Sequence, residues 1–316
     1  MFFSKKEPKA LPVINTEIYY NQLPSSIKAQ LLALKSLDIY TRRHIEDVPL
    51  QALKICKQLA LDKETTRYIM IAAYLHDVGK IFVPPEILQK TDKLTDEEYK
   101  VMKSHAAKSY DICMQFEDLR QYAKDVRAHH ESLDGSGYPD GLISKQISFE
   151  ARVLKVADVY SALKSKRQYK EEFTLVQIFE IMYKEVENNK MDATAVYGLL
   201  MAVIEEKMFE LSNIKANLKG YEEQLNYNEK ILSILEKFAK EKVKSKEILM
   251  NRKMTSYLKR LNDFDIASIS DANKLMTYIN NNIIHLTTNI KNYHTLKSDM
   301  KLLNDYAKKV LKKMEV

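Results

Sequence analysis

From about Ser25 onwards the apolar positions of the chain recur with a helical period. Ile27, Leu31 and Leu34 fall on one face, and Ala52, Ile55 and Leu59 repeat the stripe further along. The run YIMIAAYLHDVGK (68–80) predicts a buried helix with a polar His76–Asp77 pair at its C-terminal end and Gly79 as its stop. TDEEYKVMKSH (95–105) opens with Thr95 and Glu98 at capping-box spacing and predicts another helix. No alternating run of Val, Ile and Thr announces a sheet, so the pattern predicts an all-α fold. Residues 1–22 show no clear period and read as an irregular arm.

A different pattern begins after about residue 205. Leu211, Ile214, Leu218, Tyr221, Leu225, Leu232 and Leu235 follow steps of three and four, with Asn228 filling the missing position. That is a heptad seam. It fits a dimeric coiled coil or one arm of an antiparallel helical hairpin, with NDFDIASISDAN (262–273) as connector to a further helix. All seven prolines lie at or before Pro139, and beyond Gly141 only Gly198 and Gly220 remain, so the downstream helices should be long and barely interrupted. The chain divides into an N-terminal arm (1–24), a helical-bundle domain (25–205) and an extended C-terminal helical region (206–316).

Composition sets limits on this picture. With 316 residues, 45% of them apolar, the chain can bury a proper core, which excludes wholesale disorder. A net charge of +7 favours anionic partners, but the cations are spread along helices as a solvated surface, and no nucleic-acid duplex partner is expected. Cys56 and Cys113 lie in helical patterns and make neither a disulfide framework nor a zinc-binding pair. The apolar start is too short for a signal peptide and no run of 18 apolar residues exists. The chain reads as soluble and cytoplasmic, without a membrane span.

The chemistry concentrates in the first half. Five of the seven histidines are His44, His76, His105, His129 and His130, and two acids, Asp77 and Asp158, complete the set. Several helices each bringing a His or Asp to a buried stretch are hard to explain as packing, because buried polar groups need partners. Imidazole and carboxylate without thiolate suit iron, manganese or a similar divalent ion. Adjacent residues on a helix point roughly 100° apart, so the His76–Asp77 and His129–His130 pairs can serve two neighbouring ions, Asp77 bridging them. Three of the six glycines, Gly135, Gly137 and Gly141, lie beside the second pair in HHESLDGSGYPDGL (129–142).

These segments together resemble the HD-GYP subgroup of the HD phosphohydrolase superfamily. HDVGKIFVPPEILQK (76–90) is similar to its HD-x-G-K element and HHESLDGSGYPDGL to its HHE…GYP element. DIYTRRH (38–44) and RVLKVADVYSALKSKRQYK (152–170) are similar to the segments supplying the first histidine and the last aspartate. The resemblance spans about residues 38–195. It implies an HD-type helical bundle in which His44, His76, Asp77, His105, His129, His130 and Asp158 ligate metal. It also implies that Lys80 lies beside the scissile phosphate and that Arg167 and Lys170 contact substrate. Gln168 stands where the family usually has proline, KTDKLT (90–95) where it often has KPGKLT, and Ser109 replaces a glycine usual four residues after His105.

The activity implied is hydrolysis of cyclic di-GMP to pGpG, in some members on to GMP. A water shared by two divalent ions becomes a nucleophile near neutral pH, and Asp77 and Lys80 serve the reacting centre. Gly137 and the loop around it let backbone approach a dianionic substrate, while Tyr138 either stacks on a base or packs under the loop. Glu131 and Asp134 read as second-shell or loop-bracing groups. A glutamate one turn before the first histidine accompanies a third ion in some members; here that position is Tyr40, so two ions, iron or manganese, are expected, with pGpG as end product. Other readings are a phosphohydrolase of another cyclic dinucleotide or nucleotide, or a non-catalytic cyclic di-GMP effector signalling through its helical tail. Whichever reading holds, the C-terminal helices either form a homodimer or fold back.

Overall fold

A computed structural model describes residues 14–37, 39–165, 173–240 and 272–314. Arg167, Lys170 and most of the 262–273 connector lie outside the described residues. Among those described there are eleven α-helices and no strand. They are α1 (Glu17–Tyr20), α2 (Ser25–Leu37), α3 (Ile39–Gln58), α4 (Lys63–Leu75), α5 (Pro85–Leu88), α6 (Asp96–Gln115), α7 (Ala123–Ala128), α8 (Phe149–Lys164), α9 (Leu175–Glu187), α10 (Ala193–Lys240) and α11 (Ala272–Met314). The chain divides into two compact units, one formed by 10–206 with 299–316 and the other containing 207–298.

In the first unit the periodic positions turn inward: Ile27, Leu31, Leu34, Ala52 and Ile55 are buried. Helix starts follow local chemistry. Asp62 caps α4 by accepting from the Glu64 and Thr65 N–H groups, both at 2.9 Å. The capping box of α6 forms as its sequence predicts, Thr95 Oγ1 accepting from Glu98 N and Glu98 accepting from Thr95 N. Ser148 caps α8 by accepting from Ala151 N, and Thr174 caps α9 with a second capping box to Gln177. The arm is less irregular than its sequence suggests, since α1 forms one turn and Tyr20 packs edge-on to Tyr74 at 5.3 Å.

Gly79 corrects the sequence reading. Helix α4 ends at Leu75 with His76 as its cap, and Gly79 sits inside a following 3₁₀ turn, Val78–Phe82. Its role is space. A Cβ there would lie 2.3 Å from the His105 carbonyl oxygen and 2.4 Å from the Ser109 nitrogen, so the two backbones touch. Ser109 has a part in the same contact, its Oγ accepting from Gly79 N–H at 2.8 Å.

In the second unit α11 packs on α10. Ile231 and Leu235 on α10 are buried, as are Ile279 and Leu286 on α11. Asn228 is fully buried in the same seam, and neither of its amide atoms has a hydrogen-bond partner.

Candidate metal centre

Five separate segments deliver the seven residues singled out by sequence. His44 comes from α3, and His76 and Asp77 from the end of α4. His105 comes from α6, His129 and His130 from the end of α7, and Asp158 from α8. The structure brings all seven together. His76, Asp77, His105, His129 and Asp158 are buried, whereas His44 and His130 remain part-exposed and form, with Lys80, the accessible side.

Three imidazoles are oriented by their own helices. The Nδ1 of His76 lies 2.8 Å from the Ala73 carbonyl, that of His105 2.6 Å from Met102, and that of His129 2.6 Å from Val126. A carbonyl only accepts, so each Nδ1 carries the proton and each Nε2 is left with a lone pair. Those lone pairs converge. The Nε2 of His105 is 3.3 Å from that of His129 and 3.2 Å from that of His130.

Two carboxylates complete the ring. Asp77 Oδ2 lies 3.2 Å from the Nε2 atoms of both His44 and His76, and Oδ1 lies 3.2 Å from His105 Nε2. Asp77 thus touches both possible ligand triads, His44–His76–Asp77 and His105–His129–His130. Asp158 Oδ1 is 3.1 Å from His44 Nε2, and Oδ2 is 3.5 Å from His130 Nδ1. Lys80 Nζ reaches Asp77 Oδ2 at 2.5 Å.

Electrostatics keep four of these groups in the deprotonated form a metal needs. Burial works against the Asp77 carboxylate, but His76 and Lys80 outweigh it and hold its carboxyl well below the usual range. Asp158 is likewise held far down, burial being overcome by the hydrogen bond from His44 and by His130. Burial, reinforced by the neighbouring imidazoles, holds His129 well below the usual imidazole range. His130 is pushed down by burial to about 3 despite the pull of Asp158. His44 goes the other way: burial is outweighed by Asp158 and Asp77, which raise it to about 9.

The fit to a metal follows from the donors. His76 Nε2 and Asp77 Oδ1 are shut off from solvent with no aligned hydrogen-bond partner, although each has a polar neighbour at 3.2 Å. Such orphans cost about 1–3 kcal/mol each. A cation shared among facing lone pairs converts that penalty into ligation, and imidazole with carboxylate suits a hard or borderline divalent ion.

The loop 131–142 is built around Glu131. This buried carboxylate accepts from the backbone N–H groups of Asp140, Gly141 and Leu142 at 2.7, 3.1 and 2.9 Å. Lys155 Nζ donates to Glu131 O and Ser132 Oγ at 2.7 and 2.9 Å. Asp134 closes a tight turn onto Ser136 N at 2.9 Å. Gly135 needs its glycine, with φ of 81°, and Gly137 abuts the Glu131–Ser132 backbone so closely that no Cβ fits. Tyr138 lies stacked on His130, ring centroids 4.6 Å apart. Lys155 and Ser161 were not singled out by the sequence. Ser161 carried one signal, its place one turn after Asp158 on the same face of α8.

The chain belongs to the HD domain family, whose signature matches residues 26–195. Among named relatives, the cyclic di-GMP phosphodiesterase response regulator RpfG of Xanthomonas campestris pv. campestris is 39% identical, over 48% of this chain and 41% of that protein. The 3'3'-cGAMP-specific phosphodiesterase 3 of Vibrio cholerae is 35% identical over 45% of this chain and 31% of its own length. The cyclic di-GMP phosphodiesterase PA4108 of Pseudomonas aeruginosa is 39% identical over 44% and 34%. The chain therefore spans less than half the length of these relatives. A solved structure, Bd1817, a HDG"Y"P protein from Bdellovibrio bacteriovorus, overlaps with a TM-score of 0.43 at 18% identity, covering 58% of this chain and 63% of that one. No described helix is long and apolar enough to cross a membrane.

Proposed function

We propose that the chain is a metal-dependent phosphodiesterase that hydrolyses cyclic di-GMP to pGpG. The observation that carries this reading is the convergence of oriented Nε2 lone pairs and two ionised carboxylates in one buried cluster with a lysine at its accessible side. His44, His76 and Asp77 would hold one ion and His105, His129 and His130 another, with Asp158 completing the shell between His44 and His130. Divalent ions so held supply a nucleophilic water near neutral pH and neutralise charge on phosphoryl oxygens.

The chain's own residues do the rest. Asp77, a member of one triad with Oδ1 3.2 Å from His105 Nε2 of the other, reaches between the two. Lys80 holds a positive charge against Asp77, where it can meet a phosphoryl oxygen. Arg167 and Lys170 grip the outer phosphates in this reading, and Gly137 and Tyr138 line the approach. With Tyr40 rather than a carboxylate one turn before His44, the set suits two ions, iron or manganese, and a reaction that stops at pGpG. Three relatives named 3'3'-cGAMP-specific phosphodiesterases, two of them 35% and 34% identical, support that dinucleotide as a second reading.

The test is turnover of both cyclic dinucleotides by the purified full chain, with products separated by chromatography and metal measured on the same preparation. Faster release of pGpG than of linear cGAMP, with two ions of iron or manganese per chain, is expected. Binding without turnover of either would leave an effector instead.

A further inference from the structure

His44 differs from the three helix-oriented imidazoles in how its ring is held. Its Nδ1 faces the hydroxyl of Ser161, 3.2 Å away on the neighbouring helix α8. Ser161 is fully buried. On the other side of the ring, His44 Nε2 lies between Asp77 and Asp158 at 3.2 and 3.1 Å. For Nε2 to offer a lone pair to an ion, the ring proton must sit on Nδ1, and a buried N–H there needs an acceptor.

We propose that Ser161 is a positioning residue of the metal centre, its hydroxyl accepting the Nδ1–H of His44 and thereby fixing the tautomer and rotation of that ring. The inference rests on the metal reading of the cluster. Its consequence is asymmetric. The triad His105–His129–His130 takes two of its ring orientations from backbone carbonyls, which no side-chain substitution removes. In the triad His44–His76–Asp77 the Ala73 carbonyl holds His76, but His44 depends on a single hydroxyl reaching across from another helix. Partners of this kind set metal affinity by roughly ten- to a hundredfold. Removing Ser161 Oγ should therefore loosen one ion and leave the other unchanged.

The experiment uses the full chain, stripped with a chelator and titrated with manganese by calorimetry. Wild type should take up two ions. Ser161→Ala should bind one of them roughly ten- to a hundredfold more weakly and the other as before. Ser161→Thr, which keeps the hydroxyl, should restore the first. Ser165→Ala, which removes only a bond to the Ser161 carbonyl at 2.8 Å, should change neither. If Ser161→Ala unfolds early, Ser161→Cys gives the same comparison with a similar shape and a weaker acceptor. Unchanged affinity at both positions in the Ala or Cys protein overturns the inference. So does equal weakening at both, which would mark Ser161 as packing alone. A wild-type chain that takes up no manganese removes the metal reading and this inference together.

Discussion

Two of the places where the described residues bury polar atoms without a hydrogen-bond partner differ in what surrounds them. One is the His76–Asp77 corner, where an imidazole nitrogen and a carboxylate oxygen are orphaned; the other is Asn228 on α10, orphaned at both amide atoms. The first lies among five other ionisable side chains with opposed lone pairs and a lysine at the edge. The second stands in an apolar seam beside Ile231 and Leu235. An orphan surrounded by further donors of the same kind calls for a cation. One surrounded by hydrocarbon calls for nothing, and its use is to disfavour other registers of the helix pair at a cost in stability.

That contrast can be broken most directly at the cluster. His76→Ala and Asp77→Ala should abolish hydrolysis of cyclic di-GMP while far-ultraviolet circular dichroism stays as in the wild type, since neither removes a large apolar group. Near-normal turnover in either would reduce the first orphan to packing. Next in size is the seam. Leu218→Asp with Leu225→Asp places two charges on its apolar stripe and should destabilise it by roughly 1–3 kcal/mol each, seen as a lower melting temperature or altered mass. An unaltered melt and mass would mean the heptad spacing is incidental.

Substrate contacts come third. Arg167→Ala and Lys170→Ala should each raise the Michaelis constant about ten- to a hundredfold, from ~1.5–3 kcal/mol per charge-assisted hydrogen bond, with metal content unchanged. An unaltered constant in both excludes them from the site. The smallest effect sharpens the comparison. Asn228→Leu should raise stability by about 1–2 kcal/mol by removing an unpaired amide. Saturating manganese should then add the same further increment to this variant as to wild type, because the two sites belong to different units. A variant that gains nothing from the leucine would show that the amide has a partner in solution.

Much of the cluster was legible in the sequence because its chemistry is written in scarce residues. Five of seven histidines fall on helices or at helix ends, and the spacing of the HD and HH pairs announces two candidate ligand groups. The capping box of α6 was legible too, since Thr95 and Glu98 interact within one turn. What escaped depends on which backbone atom arrives from elsewhere. Glycine at 79 reads locally as a helix stop, and only the packing of α6 against it reveals a contact. Ser109 and Ser161 are ordinary helical serines until the facing helix supplies a Gly79 N–H or a His44 ring. The seam allowed either pairing of helices because a heptad is blind to whether its partner belongs to the same chain.

Gly79 works as a ruler. The strip of chain carrying His76 and Asp77 rests directly on the backbone at His105, with no side chain as a spacer, so a single hydrogen atom sets how far apart the two candidate ligand groups stand. One added methyl would wedge them open by something on the order of an ångström, given that ordinary carbon contacts lie near 3.5–4.0 Å. A carboxylate reaching to both sides tolerates little of that. The gauge of the whole centre is therefore kept by an atom the protein leaves out, at a position with no chemistry of its own.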